Sequence, residues 1–334
     1  MRWIRLQASS DKSETGAVAV IVAIGMIALL GLAALVVDVG AMYAEKAQLQ
    51  NGADAAALAI AATCADDESD PLCQSGSALA GTYADANAGD GATAITGATV
   101  DKAANSVHIT DTNETAAGDQ HFSLVFARIF GMDTTQFGAE ATAVWSGVGS
   151  GPAVFPIIFK RCEFEESIIN GTWQVLDFHG SAGCDNNNPS GQNYPGAFGW
   201  LDQAAGSCSS PILQIDTWAG GDTGVAFPGS CQTIIDQWKT DLIAGKQVYI
   251  ILPIYDDGRN SGSNVEYRVS GYVTFEIKGW RFTGGRNYNN TTSPYACTGS
   301  CQGFIGRYID ESTDDGSYQG GGPNLGASII ELTQ

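Results

Sequence analysis

The chain opens on an uncharged apolar run, Ala17 to Val37, that stops at Asp38. Its 21 residues, at about 1.5 Å each, span roughly 30 Å, the thickness of a bilayer's hydrocarbon core. Pro is absent, and the only glycines are Gly25 and Gly31, which membrane helices accept. From Asp38 to Thr63 the chain stays free of Pro and rich in Ala, Leu, Gln, Glu and Lys, all strong helix formers. The pattern predicts a transmembrane helix over 17–37 that continues as a helical rod over 38–63.

Beyond the rod the periodicity changes. A short helix is expected over Ala78–Asn87, and two strands, Ala98–Val100 and Val107–Thr110, flank a turn at Ala103–Asn105. Phe122, Leu124, Val125, Phe126, Ile129 and Phe130 recur at helical spacing, with Gly131 placed to end that helix. A strand follows at Phe137–Trp145, completing a small α+β region over 64–147. Gly147-Val-Gly-Ser-Gly151 and Pro152 read as a linker. A β-rich domain is then expected over 152–334. Its strands fall at Pro156–Phe159, Trp173–Phe178, Gln247–Tyr255, Glu266–Trp280 and Gly303–Ile309, with a helix near Thr233–Ile243. Alternation through Tyr267–Ile277 reads as a half-buried strand. The Gly- and Asp-rich segment Ser312–Asn324 reads as a mobile tail. The fold class is α+β.

Charge sets the orientation and narrows the partners. Arg2, Arg5 and Lys12 precede the apolar run, so the positive-inside bias puts residues 1–16 in the cytoplasm and the rest outside, in a single-pass protein. A cleaved signal peptide is the rival reading, with Ala41-Met42-Tyr43-Ala44 as a small-residue site; the run is longer than a leader's apolar region. The net charge is -20, from 36 acidic and 16 basic residues. That argues against nucleic acid as a partner and suits a soluble outer surface.

All eight Cys follow the apolar run. An even number on the oxidising side of a membrane reads as disulfides. Spacing suggests the local pairs Cys64–Cys73, Cys162–Cys184, Cys208–Cys231 and Cys297–Cys301. A zinc site is the alternative, disfavoured because no C-x2-C pair occurs and the three His are scattered.

The N-terminal motifs carry a family likeness. Thr15-Gly-Ala-Val-Ala-Val-Ile-Val-Ala23, Leu32-Ala-Ala-Leu-Val-Val-Asp-Val-Gly40, Tyr43 and Leu49-Gln-Asn-Gly-Ala-Asp-Ala-Ala-Ala-Leu-Ala59 together resemble the TadE/TadG-like family, associated with assembly of tight-adherence (Flp-type) pili in bacteria. The resemblance covers residues 13–63. Phe198-Gly-Trp-Leu-Asp202, Leu252-Pro-Ile-Tyr-Asp256, Gly271-Tyr-Val-Thr-Phe275 and Gly303-Phe-Ile-Gly306 look like the ectodomain of a subset of such proteins. Two family features are missing. The fifth residue after Gly16 is Ile21, not the Glu of a prepilin-peptidase site, and no Asp-x-Ser-x-Ser metal motif occurs. The resemblance implies a non-catalytic role in assembling or anchoring a Tad-type pilus or related secretion system, with the membrane and components of that system as partners.

Candidate chemistry is sparse. Asp38 at the outer edge of the span either pairs with a cation on a neighbouring subunit or rests in the hydrated headgroup zone. Ala44, Ala47, Asn51, Ala55, Leu58 and Ala62 form a small-residue stripe suited to helix–helix self-association or to packing on the protein's own β domain. Asp256, Asp257 and Asn260 lie in a polar loop after an apolar strand, and their oxygens are weak calcium candidates, without an EF-hand's spacing. No nucleophile elbow, H-E-x-x-H or phosphate loop occurs, His108, His121 and His179 stand singly, and no cofactor is expected. Two further classes stay open. Aromatics in Gly-rich loops (Tyr194, Trp200, Trp218, Tyr288) would serve a glycan- or protein-binding module. Glu163, Glu165 and Glu166 would serve an envelope hydrolase of unfamiliar type.

Overall fold

The structure, a computed structural model, describes residues 14–162, 171–178, 198–223, 226–260, 262–291, 295–313 and 316–333. It combines a long helix with a strand-rich C-terminal region, an α+β fold. Helix α1 runs unbroken over Glu14–Asp66. Among the described residues it is the one helix long and apolar enough to cross a membrane. From Val18 to Val37 its side chains are exposed, apart from a half-buried Ala34.

Two compact units divide the chain: residues up to Ala56 with Ala78–Ala98 and His108–Ala141, and Ala57–Ser77 with Thr99–Val107 and Thr142 onward. In the first unit, α2 (Ala78–Asn87) packs on α1 where Gly52 meets the Ala84 backbone. A Cβ at Gly52 would lie 3.2 Å from the Ala84 Cα and carbonyl oxygen, a tight contact that the neighbouring backbone would have to yield to. Gln48 Oε1 accepts a bond from the Gly89 N–H at 2.5 Å, and Asp85 Oδ1 accepts one from Thr93 at 2.9 Å. Strands β1 (Thr93–Asp101) and β2 (Ser106–Asn113) flank a turn in which Asn105 takes φ 49°. Strands β3 (Phe122–Ser123) and β4 (Thr134–Thr135) pair across a tip that holds a 3-10 helix, Ala127–Phe130. The expected α-helix over 122–130 is thus a single tight turn. Val125 and Ile129 are exposed, so among the described residues no core packs on them to support a longer amphipathic helix. Gly131 does end it, at φ 80°.

On β2, Asp111 is 2% exposed. Its Oδ1 accepts a bond from Ala139 N–H at 3.0 Å, while its Oδ2 has no partner among the described residues. Burial, with Asp54 nearby, pushes its pKa from 3.8 to about 6 against the pull of the Ala139 bond. The folded chain therefore holds this proton more tightly than the unfolded chain does. That contribution to stability is complete below pH 3.8 and is lost as pH rises through about 6. The full swing is about 3 kcal/mol at most. Asp111→Asn, which stays neutral, is expected to remove this pH dependence and to be the more stable form at pH 8. Denaturant unfolding of both proteins on either side of pH 6 checks it; parallel pH profiles would contradict it.

In the second unit, β5 (Gly138–Gly147) continues from Thr142, followed by β6 (Ser150–Pro152), β7 (Ile157–Lys160), β8 (Gln174–Asp177) and β9 (Phe198–Leu201). Then come β10 (Ile212–Gln214), β11 (Trp218–Asp222), helix α3 (Gln232–Ile243), β12 (Val248–Arg259) and β13 (Val265–Arg281). The chain ends with β14 (Asn287–Tyr288), β15 (Gly303–Ile309), β16 (Glu311–Ser312) and β17 (Ala327–Thr333). The main sheet runs β11-β9-β7-β12-β13-β15-β8, and β11 also pairs with β13, so its first five strands close on themselves. A second sheet has the order β1-β2-β5-β17-β16. Strand β13 is not half-buried as its alternation suggests: Gly271 to Ile277 is buried on both faces. One face meets an aromatic core with Phe155, Phe159, Trp238, Phe275 and Phe304; the other meets Tyr255, Tyr267 and Tyr272.

The 147–152 stretch packs against residues 316–324. Val148 is fully buried and its N–H bonds to Ala327, and β6 pairs with β10. Gly147 bridges to Gly322 and Ser150 to Gln319. Tyr318 is buried, its ring filling the space over Gly151 where a Cβ would collide. Glycine here makes close packing, not mobility.

Disulfides join Cys64–Cys73, Cys208–Cys231 and Cys297–Cys301, as the spacing suggests. Cys162 is also disulfide-bonded, and its expected partner Cys184 lies outside the described residues.

Candidate functional site

The apolar helix and the hairpin beside it form the most distinctive constellation. Asp38, on α1 ahead of the small-residue stripe that begins at Ala44, is 4% exposed. Its Oδ1 accepts a hydrogen bond from Val125 N–H at 3.0 Å, and its Oδ2 accepts from Phe126 at 2.9 Å and Ala127 at 2.6 Å. These are the free donors at the start of the 3-10 turn, where a carboxylate is favoured. Burial works to raise the Asp38 pKa, but the three N–H donors and then Arg128 outweigh it, holding the carboxyl below the ordinary 3.8. The partners are backbone groups of the same chain.

Further backbone bonds form within the hairpin. Leu124 N–H bonds to Asp133, Ile129 to Phe126, Gly131 to Arg128 and Met132 to Ala127. Yet its side chains stay uncovered: Val125 is 65% exposed, Ile129 79% and Met132 55%. A groove between this tip and α1 is lined by Leu30, Gly31, Ala34 and Val37 from the helix and Phe126 and Ile129 from the tip.

Further along α1, the buried face is Leu49, Gly52, Ala53, Ala56, Ala57 and Ile60. Of the predicted stripe, Ala44, Ala47 and Asn51 are exposed and Ala55 is half-buried, because the covered face is rotated away from them. The exposed part of the stripe is left for solvent or another molecule, while Leu58 and Ala62 are half-buried like Ala55.

The remaining candidates do not converge. Asp256 and Asp257 belong to β12 rather than to a loop. Asp256 pairs with Arg268 through two bonds of 2.8 Å, Asp257 Oδ1 accepts from Gly258 N–H, and Asn260 Nδ2 donates to Glu266 at 3.0 Å. Among the described residues no group of three or more His, Cys, Asp or Glu side chains could hold a metal ion. The aromatics expected in exposed loops are engaged. Trp200 is buried on β9, Trp218 lies under Arg259 at 4.3 Å, and Tyr288 packs on Trp280 at 5.4 Å. Tyr194, His179, Glu163, Glu165 and Glu166 lie outside the described residues.

No curated protein and no solved structure matches the chain. Residues 16–63, the apolar helix and its rod, match the family model described as "Putative Flp pilus-assembly TadE/G-like".

Proposed function

We propose that this chain is a non-catalytic, single-pass envelope protein that assembles or anchors a Tad/Flp-type pilus or a related secretion apparatus. The observation that carries the reading is the family match over residues 16–63, which coincides with the one membrane-length helix among the described residues. An exposed apolar surface of that length has lipid as its natural solvent. Residues 1–16 face the cytoplasm, on the strength of Arg2, Arg5 and Lys12, and the disulfide-bonded region faces outward. Its partners are the membrane and pilus or secretion-system proteins, and the exposed Ala44, Ala47 and Asn51 offer α1 a face for helix–helix association.

The decisive experiment is an in-frame deletion in the source organism, with surface filaments counted by electron microscopy and complementation by the intact gene. Loss of filaments or of their secretion machinery, restored by the intact gene, is the expected result. Unchanged filaments and secretion would sink the role.

A further inference from the structure

We propose that the hairpin tip Leu124–Met132 is a second membrane contact, immersed in the leaflet that adjoins Asp38 and latched to the spanning helix by that carboxylate. The inference rests on the reading that residues 17–37 remain in the bilayer.

The argument is one of position. Phe126 and Ile129 share a groove with Ile27, Leu30, Gly31 and Ala34. At about 1.5 Å per residue, Gly31 and Ile27 lie roughly 10 and 16 Å inward of Asp38 along the helix. A leaflet's hydrocarbon is about half of a core roughly 30 Å thick. If α1 spans the bilayer, whatever packs beside these residues shares their solvent. The tip is suited to it. Val125, Phe126, Ile129 and Met132 are exposed and apolar, an unfavourable arrangement in water and a favourable one among acyl chains.

Backbone chemistry points the same way. A non-helical segment enters lipid only if its polar groups are satisfied within the protein. Here Asp38 takes the N–H groups of Val125, Phe126 and Ala127, and bonds within the hairpin take those of Leu124, Ile129, Gly131 and Met132. Arg128 and Asp133 are the charged side chains of the tip. They lie 3.8 Å apart and are both exposed, and a long Arg side chain can reach back to headgroups.

The test uses the full chain in phosphatidylcholine vesicles, with nitroxide attached singly at Ile129→Cys, Leu30→Cys or Ile212→Cys. All three positions are exposed, so labelling leaves packing intact. Relaxation by oxygen, which partitions into lipid, is compared with relaxation by a water-soluble nickel chelate. The expected result is an oxygen-to-nickel ratio at Ile129 and Leu30 several-fold above that at Ile212. Leu30 in lipid with Ile129 open to nickel would overturn the immersed hairpin and leave the anchor standing. Leu30 in lipid with Ile129 shielded from both reagents would also overturn it, in favour of a protein covering such as a second copy. Leu30 open to nickel would remove the anchor itself, and the proposal with it.

Discussion

Replacing Asp38 with alanine is expected to free the Val125–Ala127 segment while the rest of the fold persists. Three backbone N–H groups converge on this carboxylate at 2.6 to 3.0 Å. Charged acceptors make the stronger hydrogen bonds, and donors left without a partner in a buried setting are costly. In the detergent-solubilised full chain, hydrogen exchange at the three amides should rise to that of an open loop, and trypsin should cut after Arg128 much faster. Amides of β13, buried on both faces, should keep their protection. Asp38→Asn keeps one carbonyl oxygen and loses the charge, so its effect should be intermediate. Because the Asp38 pKa is held below 3.8, the latch is complete at neutral and mildly acidic pH and is lost only as pH falls through that lowered value. Unaltered exchange and proteolysis in the alanine variant would show that something else holds the hairpin.

The largest loss of stability is expected from Phe304→Ala. Phe304 is fully buried on β15, and its ring lies 5.4 Å from Phe282, 5.6 Å from Phe155 and 5.9 Å from Phe178. Several of these rings meet edge to face, a geometry that adds to the area they bury. Truncating such a ring removes its transfer free energy and leaves a cavity that rigid neighbours cannot fill, a cost of about 3–5 kcal/mol. Denaturant unfolding followed by near-ultraviolet circular dichroism reads the change directly. Ile212→Ala, at a 75% exposed position, is the control and should shift the midpoint little. Equal midpoints for the two variants would refute the assignment of this core.

Elements with a strong local signal were legible. Helix α2 falls at Ala78–Asn87, and α3 and the long strands β12, β13 and β15 lie close to their expected ranges, because each pairs a clear period with Gly, Pro or Asn at its ends. The hairpin at 122–135 was misread for an instructive reason. Apolar spacing reports that a surface avoids water but does not say whether protein or lipid will cover it. Strand β17 went unseen because the Gly-rich stretch before it resembles free chain, whereas its contacts, such as Tyr318 over Gly151, come from far earlier in the sequence. Asp38 stood out as a residue, but its role did not. Its partners are main-chain amides 87 to 89 positions away, which leave no mark in side-chain chemistry. The stripe through Ala44 and Asn51 was visible as composition, and only the folded chain shows that α1 buries a different face.

The pairing of β17 with Thr142–Gly147 has a kinetic consequence. During synthesis β17 emerges long after its partner β5, so this sheet is assembled late and at high contact order. Until then β5 waits with a bare edge beside β2, a template for misannealing with other nascent copies. A ribosome that stalls before Ala327 would leave that edge open to such pairing.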